Sequence, residues 1–174
     1  MPKHIENIRE DLLSEARRQM LDGGYDSVTI RSVASSCDIA VGTVYNYFES
    51  KEYLVACVML EDWNDMILTT GEKIRGKSPS EGIRKLYKMI SDFSKRYGDV
   101  WSQYKTSPGH HAVGNTDYRR KIELQVRDLI SGLFDPGDLD KGLCIFLARI
   151  LLRFASDGRT RYSDISPYIE KLIA

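Results

Sequence analysis

The stretch from Thr29 to Lys51 reads TIRSVASSCDIAVGTVYNYFESK, and its reading decides the fold. Thr29 suits a helix N-cap, because its hydroxyl can accept a bond from an otherwise unpaired backbone N–H. Ile30, Val33 and Ala34 follow at helical spacing and predict the inner face of a short helix that ends near Cys37 and Asp38. A second short helix is predicted from Val41 to Phe48. Two short helices either side of the tight turn Ser36-Cys37-Asp38-Ile39 make the helix-turn-helix plan. In that plan the first helix braces against a phosphate backbone and the second presents side chains to base edges in the major groove. Val33, Ala34, Ile39, Val44 and Phe48 are apolar and are expected to hold the pair together. That leaves Thr43, Tyr45, Asn46 and Tyr47 as polar groups on the second helix, with Lys51 just beyond it.

Working outward, the pattern stays helical. Ile5, Ile8, Leu12, Ala16 and Met20 line one stripe of a helix from about Ile5 to Leu21, stopped by Gly23-Gly24. A helix opening at Ser50 is predicted to reach about Arg75, and Gly76-Lys77-Ser78-Pro79 breaks the chain. The next runs from Ser80 to Tyr97, where Gly98 is expected to end it before a short helix from Val100 to Thr106. Residues 108–114 read as a loop. A long amphipathic helix is predicted from Thr116 to Phe134, then one capped by Asp138 or Asp140 and running to about Ser156. Ser166-Pro167 is expected to start a last short helix through Ile173, since proline is tolerated in a first helical turn. Alternation of β-branched with polar residues is almost absent, so the fold class is all-α.

Composition sets the bounds. The 174 residues are 42% hydrophobic and 29% charged, which supports a packed core and not a disordered chain. No apolar run approaches a membrane span, and the N-terminus has no apolar signal core, so a cytoplasmic protein without membrane contact is expected. Cys37, Cys57 and Cys144 are odd in number and widely spaced, and fit free thiols in a reducing compartment. Net charge is zero, and residues 1–60 carry six bases against nine acids. A nucleic-acid contact there must use a few well-aimed groups instead of bulk attraction. His110-His111 has no partner at metal-ligand spacing, and neither a nucleophile motif nor a phosphate-cradling loop occurs, so no metal, no cofactor and no catalytic residue is expected.

The segment TIRSVASSCDIAVGTVYNYFESKEYL, with MLDGGYDSV before it, resembles the DNA-binding domain of the tetracycline-repressor (TetR) family of bacterial regulators. The shared pattern is Gly-Tyr, then Thr-hydrophobic-x-x-hydrophobic-Ala, a turn, and Gly-Thr-hydrophobic-Tyr-x-Tyr-Phe-x-Ser-Lys-Glu, within a match covering about residues 5–55. The resemblance implies a three-helix DNA-binding domain over residues 1–50 and a helical regulatory and dimerisation domain over 51–174. It implies operator contacts from Thr29, Arg31, Thr43, Tyr45, Tyr47 and Lys51, with Tyr45, Tyr47 and Lys51 mainly on phosphate. It places Arg31, Val41, Gly42, Thr43 and Asn46 where bases are read. Three positions depart from the pattern. Asp38 stands where glycine is common, and Asp tolerates the left-handed conformation. Ala40 replaces a serine-like cap, at a cost of about 1 kcal/mol. Val41 replaces a frequent lysine, and its methyls suit a thymine methyl but cannot donate to guanine.

The resemblance also implies a homodimer on a palindromic operator and a small-molecule effector. The helix ending near Ser156 carries too many apolar groups for one buried stripe, as either a core helix or a dimer helix would. The expected dimer surface comprises Ile122, Val126, Leu129, Leu143, Phe146, Leu147, Ile150 and Phe154. Trp63, Met66, Tyr87, Phe93, Tyr97, Trp101 and Tyr104 are aromatic or soft groups in the middle of the chain, suited either to core packing or to an apolar or cationic effector. The expected function is a ligand-responsive repressor. An activator or co-regulator on the same fold, and a helical-bundle enzyme, are the alternatives.

Overall fold

The computed structural model describes residues 7–107 and 115–174. Among them lie eight α-helices and no strand: α1 Ile8–Gly23, α2 Ile30–Ser36, α3 Val41–Tyr47, α4 Lys51–Ile74, α5 Pro79–Thr106, α6 Asn115–Ser131, α7 Lys141–Ser156 and α8 Tyr162–Ile173. The all-α expectation is borne out. The chain divides into two compact units, Met1–Asp62 with Tyr97–Asn115, and Trp63–Arg96 with Thr116–Ala174.

In the first unit, α1 buries Leu12, Leu13, Ala16 and Met20. Gly24 then takes a positive φ of 75° and its N–H closes on Met20 O at 2.9 Å. A single 3-10 turn, Tyr25–Ser27, leads into α2. α2 and α3 have seven residues each, well below the ~12–15 that make an isolated helix even marginally stable. Packing must therefore hold them. Ile30, Val33, Ala34, Val44 and Phe48 are all buried, and α2 packs on both α1 and α3.

The second unit has its own core. Trp63, Ile67, Ile83, Leu86, Ile90, Val126, Ile130, Leu147, Leu151 and Ile169 form one buried cluster. Two of its polar tips are bonded within the unit: Trp63 Nε1 donates to Gln125 Oε1 at 2.9 Å, and Tyr87 Oη donates to the Thr160 carbonyl at 2.6 Å. Gly82 allows a close approach, because a Cβ there would stand 2.3 Å from Leu133.

Two expected boundaries are corrected. α5 is one helix of 28 residues that runs straight through Gly98. A glycine in an exposed helix interior costs about 1 kcal/mol relative to alanine. Tyr97, Val100 and Tyr104 around it are buried, and their packing outweighs that cost. α8 starts at Tyr162 and not at Ser166. Asp164 Oδ2 accepts from the Arg161 N–H at 3.0 Å and fixes the earlier start. Pro167 therefore lies inside the helix, a turn later than expected. The other boundaries fall within a few residues of expectation, and the loop at 108–114 lies outside the described residues, as does His110-His111.

Candidate nucleic-acid interface

The site is built from local rules upward. Thr29 caps α2 reciprocally: its Oγ1 accepts from Ser32 N at 2.9 Å, while Ser32 Oγ accepts from Thr29 N at 3.0 Å. Ser32 Oγ also reaches Gln19 Oε1 at 2.7 Å, so the cap is tied to α1. At the end of α2, Cys37 N donates to Val33 O and Ile39 N to Ala34 O, each at 3.0 Å. Asp38 between them has φ 56°, and it is the one non-glycine with positive φ among the described residues. The left-handed turn expected at Asp38 is thus formed. Ala40 is the N-cap of α3 and supplies no side-chain bond, also as expected.

Packing then fixes which way α3 faces. Val44 and Phe48 are fully buried. At about 100° per residue, set by 3.6 residues per turn, the opposite face centres on Gly42 and Asn46, with Thr43 and Tyr45 at its flanks. Arg31, Gly42 and Asn46 are exposed, and Thr43 is half-buried. Val41 is 37% exposed, Tyr45 53% and Tyr47 39%. A Cβ placed on Gly42 would meet nothing within 4 Å, so the helix backbone itself is approachable there. Among the described residues, the side chains of Arg31, Thr43, Tyr45, Asn46 and Tyr47 have no hydrogen-bond or ion-pair partner within the chain. Arg31 on α2 and Thr43, Tyr45, Asn46 and Tyr47 on α3 are thus exposed or half-buried and unpaired.

Lys51 is placed differently. Its Nζ lies 3.8 Å from the centroid of the Tyr25 ring, a cation–π contact. Burial there pulls the Lys51 ammonium below its usual range. Tyr25 Oη donates to Glu52 Oε1 at 3.0 Å, and burial, reinforced by that carboxylate, pushes the phenol up to about 12. A phosphate contact by Lys51 requires the ammonium to swing off the ring.

A polar network that the sequence reading missed anchors the unit from behind. Arg17 on α1 holds Asp62 on α4, Nε to Oδ1 at 2.6 Å, and Glu61, Nη2 to Oε2 at 3.1 Å. Arg9 adds a second bond to Glu61 at 3.1 Å, and Tyr97 Oη donates to Asp62. Burial alone lowers the Arg17 pKa, but the bonds from Asp62 and Glu61 outweigh it and raise the value. The available signal was Asp62 itself, an acid in the apolar stripe of α4.

Residues 12–58 match the family model described as bacterial regulatory proteins, tetR family. Over this segment the chain is similar to the TetR family. The chain is 29% identical over 99 residues to the HTH-type transcriptional repressor KstR of Rhodococcus jostii, covering 52% of this chain and 46% of that protein. It is 30% identical over 103 residues to the HTH-type transcriptional regulator UidR of Escherichia coli, covering 59% and 50%. The chain thus spans about half the length of these curated relatives. In fold it is similar to the transcriptional regulator FadR of Bacillus subtilis, solved with stearoyl-CoA, at a TM-score of 0.55 and 17% identity, covering 95% and 97% of the two chains. All three are named as regulators, none as an enzyme.

The remaining expected site residues lie outside residues 12–58, and those expected to line the effector pocket are divided between the two units. Trp63, Met66, Tyr87 and Phe93 belong to the second unit, whereas Tyr97, Trp101 and Tyr104 belong to the first. Trp63 packs edge-on against Phe93 with centroids 5.2 Å apart, inside the core cluster. Trp101 is exposed and stacks on the buried Tyr104 at 5.5 Å. A cleft of about 800 Å³ lies beside the α6–α7 turn, lined by Asp128, Phe134, Asp135, Leu139, Asp140 and Lys141, and none of the seven borders it. Of the expected dimer residues, Val126 and Leu147 are fully buried within the second unit and cannot meet another chain. Ile122, Leu129, Leu143 and Ile150 are half-buried against that core. Phe146 is 50% exposed and Phe154 36%. Among the described residues no group of three or more His, Cys, Asp or Glu could hold a metal, and no helix is long and apolar enough to cross a membrane.

Proposed function

We propose that this chain is a homodimeric, ligand-responsive DNA-binding regulator of transcription, and a repressor, with α3 as its major-groove element. The observation that carries the reading is the burial pattern of α2 and α3: Ile30, Val33, Ala34, Val44 and Phe48 are buried, while Arg31, Thr43, Tyr45, Asn46 and Tyr47 are exposed or half-buried and unpartnered. A surface that leaves so many directional groups unpaired is suited to a polar partner presenting phosphates and base edges. The TetR-family match over the same residues points to the same partner.

One such domain makes few phosphate contacts, so two are required for tight specific binding, on half-sites spaced by about 34–36 Å. The face that suits a second copy runs along α7 through Leu143, Phe146, Ile150 and Phe154, at steps of three and four. Tyr168 and Leu172 on α8 are exposed apolar groups of the same unit and extend the candidate surface. The effector is an apolar or cationic small molecule, and Trp63, Met66 and Phe93 are the soft, part-aromatic group suited to admit it. FadR of Bacillus subtilis, solved with stearoyl-CoA, is a precedent for a ligand with a long apolar acyl chain on a charged head in a protein of similar fold.

The test is binding of purified full chain to DNA from upstream of its own gene, against random duplex, at moderate salt. Tight, selective binding supports the reading, and equal affinity for both removes it. Lys51→Ala is expected to weaken binding about evenly across sequences and to reduce the slope of log K against log salt by about one. Tyr47→Phe is expected to weaken it evenly with little change in slope. An unchanged slope in Lys51→Ala means the ammonium stays on Tyr25.

A further inference from the structure

We infer that α3 is an A·T reader, in which Asn46 selects adenine and Val41 selects the methyl of thymine, leaving Arg31 as the lone side chain equipped to select guanine. The inference rests on the proposed DNA contact and specifies its sequence preference.

Val44 and Phe48 set the rotation of α3, and Asn46 sits at the centre of the face opposite them. Its carboxamide is exposed and has no partner in the chain. A carboxamide offers one donor and one acceptor side by side, which matches N7 and N6 of adenine. Gly42 lies one turn earlier on the same face with open space where a Cβ would be. That lets the backbone approach closely enough for a side chain as short as Asn46 to reach a base edge.

At the tip, Val41 is exposed and carries only methyls. Desolvating those methyls is favourable against the C5-methyl of thymine and unfavourable against the bare polar edge of a G·C pair. Guanine is read by a cationic fork or ammonium, and cytosine by a carboxylate. α3 has neither type, since its seven residues are Val-Gly-Thr-Val-Tyr-Asn-Tyr. Between Thr29 and Ser50 the single cation is Arg31, exposed and unpaired on α2.

The experiment has two stages and uses the full chain. First, bound duplexes are selected from a random pool, and the enriched half-site is read. Enrichment of adjoining A·T pairs in the α3 contact, with a G·C pair to one side that is lost in Arg31→Ala, supports the inference. Enrichment of G·C pairs throughout the α3 contact overturns it while leaving the DNA-binding reading intact. No enrichment of any sequence overturns both.

Second, single atoms are removed from the selected site. Replacing the contacted thymine by deoxyuracil removes one methyl and is expected to weaken binding about fourfold. Replacing the contacted adenine by its 7-deaza analogue removes the N7 acceptor and is expected to weaken binding about 5- to 100-fold. Val41→Ser is expected to abolish the first effect only, and Asn46→Ala the second only. Both substitutions sit on exposed positions, and circular dichroism checks that they fold. Indifference of the native chain to both altered bases, or the same losses in the variants, overturns the assignment.

Discussion

Arg17→Met is expected to lower the stability of the protein by about 2–3 kcal/mol, a fall of about 5–10 °C in thermal midpoint. The reasoning starts from burial. Asp62 is one of two buried polar or charged side chains among the described residues, at 8% exposure. Its carboxylate is held by Arg17 Nε at 2.6 Å and by the hydroxyl of Tyr97. Removing one partner of a buried pair typically costs about 3–5 kcal/mol, because the other charge stays desolvated. Arg17 is 29% exposed, so water screens part of the interaction and the expected loss is correspondingly smaller. The same guanidinium also holds Glu61. Arg17→Met with Asp62→Asn is expected to recover a large part of the loss, since the lone buried charge is gone. Urea unfolding at pH 7 measures both variants. Equal losses in the single and double variants would show that packing of the Arg17 stem, and not the charge pair, is what matters.

Phe146→Glu is expected to convert the proposed dimer to monomers and to weaken binding to the proposed operator by two to three orders of magnitude. Phe146 is the most exposed of the four apolar residues along the outer face of α7. Across a two-fold axis the substitution places two carboxylates on an apolar patch, and Arg149 three residues on in the same helix is already held by Glu123 at 2.9 Å. A central aromatic in an interface is typically worth about 2 kcal/mol or more. Losing the dimer also removes the effective concentration that couples two half-site contacts, worth about 10²–10⁴ in affinity. The folded protomer is expected to change by no more than about 0.5 kcal/mol, because the side chain is largely outside the core. Sedimentation, run with denaturant unfolding, separates these effects. A variant that stays dimeric with full affinity places the interface elsewhere, and α8 with Tyr168 and Leu172 is then the surface to alter.

The parts of this molecule that local chemistry dictates were legible in the sequence. Thr29 is a cap because of its hydroxyl, and the bond to Ser32 N forms. Asp38 tolerates a left-handed turn, and takes one. Ala40 cannot cap α3, and does not. Gly98 and Pro167 misled for the opposite reason: each has a strong local preference that packing or a neighbouring cap overrides. The ion-pair network around Asp62 was invisible because Arg17 and Asp62 are 45 residues apart, and spacing within one helix says nothing about a partner on another. The aromatic residues between Trp63 and Tyr104 illustrate the same limit. They are neighbours in sequence, yet α5 carries Tyr87 and Phe93 in one compact unit and Tyr97, Trp101 and Tyr104 in the other. Their polar tips, Trp63 on Gln125, Tyr87 on Thr160 and Tyr97 on Asp62, are engaged by the chain itself.

The central claim is that α3 enters the major groove of a duplex, twice per dimer. Methylation and hydroxyl-radical protection on the selected operator test it most directly. The account predicts two protected half-sites related by a two-fold axis, with centres separated by one helical turn of about 34–36 Å or a multiple of it, with guanine N7 protected in the major groove of each, and with the loss caused by 7-deaza-adenine abolished in Asn46→Ala. A single protected patch, protection confined to the minor groove, or a 7-deaza-adenine loss that Asn46→Ala leaves unchanged would contradict it.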